Sequence, residues 1–119
     1  MKRVSKIAGV LGTLAASQAF AVQLTVPPIQ VSTTNTIRYV CHGGKVLSVH
    51  YMNTKNAQSF ALLSVAGRRL LFVNVLSGSG AKYVADHYTW WTKGPQGTLS
   101  DDTADPNAPP LLADCKAGG

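Results

Sequence analysis

The sequence has no glutamate, three histidines and two cysteines among its 119 residues. Every carboxylate side chain is an aspartate: Asp86, Asp101, Asp102, Asp105 and Asp114. Asp101, Asp102 and Asp105 fall in a proline-rich stretch, where charges are ordinarily just solvated. Nothing therefore suggests the positioned acid and base that glycoside hydrolysis requires. His42, His50 and His87 do not recur at metal-ligand spacing, so no metal site and no cofactor are expected. Past residue 21, basic residues are scattered singly apart from Arg68-Arg69, with no basic stripe interleaved with aromatics, which argues against nucleic acid as a partner. The formal charge is +6, but Lys2, Arg3 and Lys6 belong to a removable leader, and the remainder is only mildly basic. Past that leader no run is long and apolar enough to span a membrane, and no window holds a 3.6-residue apolar period. There is no internal repeat.

What the chain does contain begins with an export signal. Residues 1–21, MKRVSKIAGVLGTLAASQAFA, pass from Lys2, Arg3 and Lys6 through an apolar segment, Ile7 to Leu14, to Ala19-Phe20-Ala21. That order of charge, apolar core and small-residue site is the order of a secretory signal peptide, and the core is shorter than the roughly 20 residues of a membrane span. Cleavage after Ala21 leaves one domain, residues 22–119. No cysteine adjoins the cleavage point, so the acceptor of a bacterial lipoprotein is missing, and a soluble product without a membrane anchor is expected. Two cysteines in an exported chain read as one disulfide, Cys41 to Cys115. Closing so long a loop contributes about 4.5 kcal/mol in the chain-entropy picture. A domain this small buries a modest core and gains from such a staple.

The rest of the chain alternates short apolar runs with turn residues. Thr25 to Ser32, with Pro27-Pro28, reads as an extended lead-in. Thr36 to Cys41 alternates, with Ile37, Tyr39 and Cys41 on one face, and His42-Gly43-Gly44 breaks it. Lys45 to Met52 alternates again, with Leu47, Val49 and Tyr51 on one side, and ends at the polar turn Asn53 to Asn56. Ala57 to Val65 reads as a strand, although Ala57 to Leu63 also fits a turn or two of helix. A tight connection, Ala66-Gly67-Arg68, leads to an apolar strand, Arg69 to Leu76. After the loop Ser77 to Gly80 come two short strands, Ala81 to Val84 and Tyr88 to Thr92, around Ala85-Asp86-His87. Gly94-Pro95-Gln96-Gly97 reads as a connection, with a further strand at Thr98 to Ser100. Asp101 to Pro110 reads as irregular, and Leu111 to Cys115 closes the domain. The pattern predicts an all-β domain of about eight antiparallel strands with one disulfide, a small barrel or a sandwich. Closure into a barrel would remove the exposed edges of such short strands.

One stretch concentrates the unusual residues: SGSGAKYVADHYTWWTKG, residues 77–94. Ser79 and Lys82 match S-x-x-K, the nucleophile pair of serine β-lactamases and penicillin-binding proteins. The domain is far too short for that fold and has no S-D-N element. Positions 79 and 82 in a loop-to-strand segment also point to opposite faces, unlike the i and i+3 positions of a helix. An enzyme is therefore not expected. The plain reading is that Tyr83, Tyr88, Trp90 and Trp91 are barrel aromatics and that Ser79 and Lys93 are solvated loop residues. Trp90 and Trp91 are adjacent, so one faces the core and the other faces out, where a Trp beside a flexible loop can anchor a partner.

The same stretch resembles the signature of the bacterial inhibitors of c-type lysozyme, the MliC/PliC family. That signature is S-x-S-G-x-[KR]-Y, an aromatic-Trp pair and [ST]-K-G. It is met here by Ser77-Gly78-Ser79-Gly80-Ala81-Lys82-Tyr83, Trp90-Trp91 and Thr92-Lys93-Gly94. Tyr39-Val40-Cys41 is similar to the family's Y-x-C strand, and Cys115 matches its late half-cystine. The resemblance implies a small antiparallel barrel of about eight strands in the periplasm of a Gram-negative bacterium, in the periplasmic rather than the lipid-anchored subgroup. It implies a c-type lysozyme as partner, with two loops entering the cleft. Ser79 and Lys93 would reach the catalytic carboxylates, and Gly80, Thr92 and Gly94 would shape the contact. Tyr83 and Trp90 would be structural. The sequence departs from the family at position 78, a glycine in place of alanine, and in the length and proline content of Asp101 to Pro110. The oligomeric state, a homodimer included, is left open. The alternative is an exported barrel that binds another envelope glycan or protein through the same face.

Overall fold

The computed structural model describes residues 29–118. Residues 1–21, read above as a signal peptide, and Pro27-Pro28 lie outside the described residues. Eight strands follow in order: β1 Val31–Val40, β2 Val46–Thr54, β3 Ser59–Val65, β4 Arg68–Val75, β5 Ala81–Ala85, β6 Tyr88–Lys93, β7 Gln96–Asp101 and β8 Leu112–Ala117. Each pairs antiparallel with the next, and β8 returns to β1, so the sheet closes into a barrel and not a sandwich. A single 3-10 turn, His42–Gly44, joins β1 to β2. Among the described residues no helix is long and apolar enough to cross a membrane.

The period-two pattern maps onto the barrel wall. Tyr39 of β1, Leu47 and Val49 of β2, and Ala61, Leu63 and Val65 of β3 all point inward and are buried. The segment that also fitted a helical turn is a strand, because only a strand sends Ala61, Leu63 and Val65 to one side. Ala57 has φ 68° and belongs to the turn before it. The outer side of the wall is apolar where β3 meets β4. Leu71 lies opposite Leu62, and Val73 opposite Phe60, with Leu71 and Val73 both exposed.

The β6–β7 connection is shorter than its composition suggests. Only Gly94-Pro95 turns, and β7 already begins at Gln96. Gly97 is not a turn glycine. It pairs with Thr92, and a Cβ there would lie 2.3 Å from the Trp90 ring. Trp90 is the inward member of the tryptophan pair, with no exposed surface, and it fills the barrel with Phe72, Leu63, Leu99 and Val49. Tyr39 packs edge-on against it at 5.0 Å between ring centres. The Trp90 indole donates to the Tyr51 hydroxyl at 2.8 Å, which lies 2.8 Å from the Tyr39 hydroxyl. The polar atoms of three large aromatics are thus satisfied among themselves.

That network carries a prediction. Burial raises the hydroxyl pKa of Tyr39, Tyr51 and Tyr83, most of all at Tyr51. The folded barrel favours the neutral phenols, so their contribution is complete below the unfolded value of about 10 and is lost as pH rises above it. The urea midpoint should therefore fall above about pH 10, and phenolate absorbance from these tyrosines should appear together with loss of the barrel's circular-dichroism signal. Early phenolate from all of them in an intact barrel would contradict this.

The seam of the barrel is short. β1 and β8 share two register pairs, Tyr39↔Ala117 and Val40↔Lys116. The next step in that register is Cys41 and Cys115, joined by a disulfide across 74 residues of sequence. The staple thus bonds the two ends of the sheet where hydrogen bonding between them is sparse.

Candidate functional site

Up-and-down topology sends alternate connections to opposite rims. The loop between β4 and β5, residues 76–80, and the Gly94-Pro95 turn between β6 and β7 share one rim. They are also neighbours, because Ala81 pairs with Thr92. One step beyond that pair stand Gly80 and Lys93. The barrel thus brings the Ser79 loop and Lys93 side by side, although they are far apart in a chain reading without a register.

Ser79 is exposed, and its hydroxyl makes no hydrogen bond to another described residue. Its carbonyl is held instead: the Ser77 hydroxyl donates to it at 2.7 Å and the Trp91 indole at 3.0 Å. Gly80 has φ +68°, and a Cβ there would lie 2.3 Å from the Thr92 carbonyl oxygen. This glycine is required both by conformation and by contact. Gly78 is different: nothing lies within 4 Å of a Cβ at that position, so an alanine there would fit.

Lys93 ends β6, is exposed, and forms no ion pair among the described residues. Its turn is anchored, since the Ala117 amide donates to the Pro95 carbonyl at 2.8 Å. Gly94, at φ 58°, permits that tight turn. Thr92 faces inward and lines the barrel mouth. Gly94, Asn35, Tyr51, Asn53 and Tyr83 share this open depression of about 270 Å³.

Charge is divided between the rims. Lys93 and Lys55, in the β2–β3 turn, lie at the same end as Ser79. Asp86 in the β5–β6 turn, Asp101 at the end of β7, and Asp102 and Asp105 in the β7–β8 loop all lie at the other end. These aspartates hold that loop. The Asp101 carboxylate accepts from the Thr103 amide at 2.9 Å and from its hydroxyl at 2.6 Å, which keeps its pKa below the usual range. Asp102 accepts from the Thr89 hydroxyl at 2.6 Å, and Asp105 from the Asn107 amide at 2.8 Å. Asp86 pairs with Arg68. A concavity of about 500 Å³ lies under this loop, but it is at the rim away from Ser79 and Lys93. No group of three His, Cys, Asp or Glu able to hold a metal occurs among the described residues. Lys82 of the S-x-x-K match is in β5, opposite Val75 and Trp91, and makes no hydrogen bond to Ser79.

Two residues of the site were not singled out for their role by sequence. One of the two tryptophans was expected to face out; the structure shows that it is Trp91 and that it holds the Ser79 carbonyl. Lys55 reads as a turn residue, and only the barrel brings it to the rim of Lys93.

Fold and site define a class: a small closed barrel that presents two neighbouring connections at the rim that carries Lys55 and Lys93. The family model described as "Membrane-bound lysozyme-inhibitor of c-type lysozyme" matches residues 39–108. A Cupriavidus necator protein named membrane-bound lysozyme inhibitor of C-type lysozyme is 39% identical over 115 residues, covering 97% of this chain and 90% of its own length. The Pseudomonas aeruginosa MliC crystallised in complex with hen egg white lysozyme is 35% identical, with a TM-score of 0.61, covering 85% of this chain and 99% of that one. PliC-St, the periplasmic inhibitor from Salmonella typhimurium, is 25% identical, with a TM-score of 0.64, over 73% of this chain and all of its own. The chain belongs to the MliC family. That family is one of inhibitors of an enzyme and not of enzymes.

Proposed function

We propose that this chain is an exported inhibitor of c-type lysozyme that blocks the cleft with the Ser79 loop and Lys93. The observation that carries this reading is the Ala81↔Thr92 pair, which sets the two elements side by side on a rim with free cations and no aspartate among the connections that form it. C-type lysozyme works with one protonated and one ionised carboxyl group. A general acid must carry a proton to give. The Lys93 ammonium would favour the ionised form of a carboxyl beside it and so disable an acid. The Ser79 hydroxyl, uncommitted within the barrel, would donate to the second carboxylate. No covalent bond is formed and no cofactor takes part. Gly80 lets the loop lie close against β6, and Gly94 aims the turn that carries Lys93.

The leader, residues 1–21, is read as a signal that is removed, and residues 22–119 as the single mature domain in the periplasm. Named relatives are membrane-bound, whereas PliC-St is periplasmic. The periplasmic assignment rests on the absence of cysteine at the cleavage point.

The test is a lysis assay. Purified residues 22–119, with the disulfide formed, are titrated into a c-type lysozyme acting on bacterial cell walls. Saturable inhibition near one-to-one stoichiometry is expected. No inhibition at micromolar protein would overturn the reading and turn attention to another envelope glycan or protein as the target.

A further inference from the structure

We propose that Trp91 is the positioning residue of the inhibitory rim: its indole N–H holds the Ser79 carbonyl and fixes the Ser79 loop relative to Lys93. The inference rests on the lysozyme reading above and names the residue on which that site's geometry depends.

The loop needs such a hold. Residues 76–80 pair with no strand. Leu76 is 97% exposed and so contributes no packing. The Ser77 hydroxyl bond to the Ser79 carbonyl is internal to the loop and cannot fix it to the barrel. The Trp91 indole bond to the same carbonyl, 3.0 Å long, comes from β6 and can. The ring works as well as the N–H. Two of its carbons would lie 3.2 Å from a Cβ on residue 80, so Gly80 lies close against the indole.

Trp91 also stands in the right place along the strand. It precedes Lys93 by two residues, so both side chains point to the outer face, about 7 Å apart. One strand therefore carries the cation and the group that holds the serine. Without the indole bond, Ser79 and Lys93 would reach the cleft as two independent arms, and binding would have to bear the cost of ordering the loop. With it they form one preorganised unit. The position of Trp91, outward and half-buried, fits this role, since its N–H is turned into the loop and already engaged.

Trp91→Phe is the informative substitution. It keeps an aromatic ring on β6 but removes the N–H together with part of the indole, including the two ring carbons that face Gly80. In the free protein, backbone 15N order parameters at Gly78, Ser79 and Gly80 should fall from the rigid value near 0.85 to below about 0.6, while those of β5 and β6 hold. Inhibition of c-type lysozyme should weaken roughly tenfold, the loss expected for one neutral hydrogen bond. Ser79→Ala should cost clearly less in the Trp91→Phe background than in the parent, because both changes act through one contact. The melting temperature should stay within a few degrees. Unchanged loop order in Trp91→Phe would overturn the proposal. So would a mobile loop with full inhibition, or losses that simply add. An inactive parent would instead overturn the lysozyme reading and with it the inhibitory role of Trp91, and the order parameters would still decide whether the indole holds the loop.

Discussion

Lys93→Glu should weaken lysozyme inhibition at least about 100-fold, and the barrel should melt where the parent does. The first half follows from what the charge faces. Breaking a close charge pair at an interface costs about 2–5 kcal/mol, and reversal adds repulsion between two carboxylates. The second half follows from what the charge does not touch. Lys93 is exposed and forms no ion pair within the described barrel, so its replacement leaves no buried group stranded. Surface changes of that kind usually stay within about 0.5 kcal/mol. Lys93→Ala should fall between the parent and Glu, and the gap between Ala and Glu should shrink at high salt, where repulsion is screened. Full inhibition by Lys93→Glu would remove this residue from the mechanism. Equal losses at Lys55→Glu would mean that the rim acts through its general potential and not through a specific contact.

Much of the barrel was legible because its strands are two-sided. The alternation of Ile37, Tyr39 and Cys41, and of Leu47 and Val49, needs nothing beyond its own segment to be read. Of the non-local facts, the Cys41–Cys115 disulfide was legible from the cysteine count, but the strand pairings were not. No local pattern shows that β8 returns to β1, since that seam has two register pairs. The tryptophan pair shows the limit clearly. Adjacency alone says that one ring is inside, while Gly97 across the ladder decides that it is Trp90. The candidate site depended on register in the same way. Ser79 and Lys93 stood out by resemblance, but their juxtaposition requires Asp86-His87 to be the whole turn, so that pairs run from Ala85↔Tyr88 to Ala81↔Thr92. A three-residue connection, as composition suggested, would shift the ladder and exchange its faces. Trp91 escaped notice as a clamp because its role lies in a bond to a backbone atom twelve residues earlier.

The largest effect on stability should come from Trp90 and the space that Gly97 leaves for it. Trp90→Ala removes the biggest fully buried side chain, along with its edge contact to Tyr39 and its bond to Tyr51. Such truncations cost about 3–5 kcal/mol, a large share of what a small domain has. Gly97→Ala attacks the same packing from the other side. Its Cβ would meet three ring carbons between 2.3 and 3.1 Å, and the ring cannot retreat, because it is wedged against Tyr39 and hydrogen-bonded. Overpacking of this kind costs about 1–3 kcal/mol. The two changes should not add. With a shorter ring at position 90 the new methyl has somewhere to go, so Gly97→Ala should cost less in a Trp90→Phe background than in the parent, by at least about 0.5 kcal/mol. Urea unfolding of the four proteins with the disulfide intact measures the cycle. Strict additivity would mean that Gly97 serves its strand by backbone conformation alone and that the Trp90 ring yields more easily than its surroundings suggest.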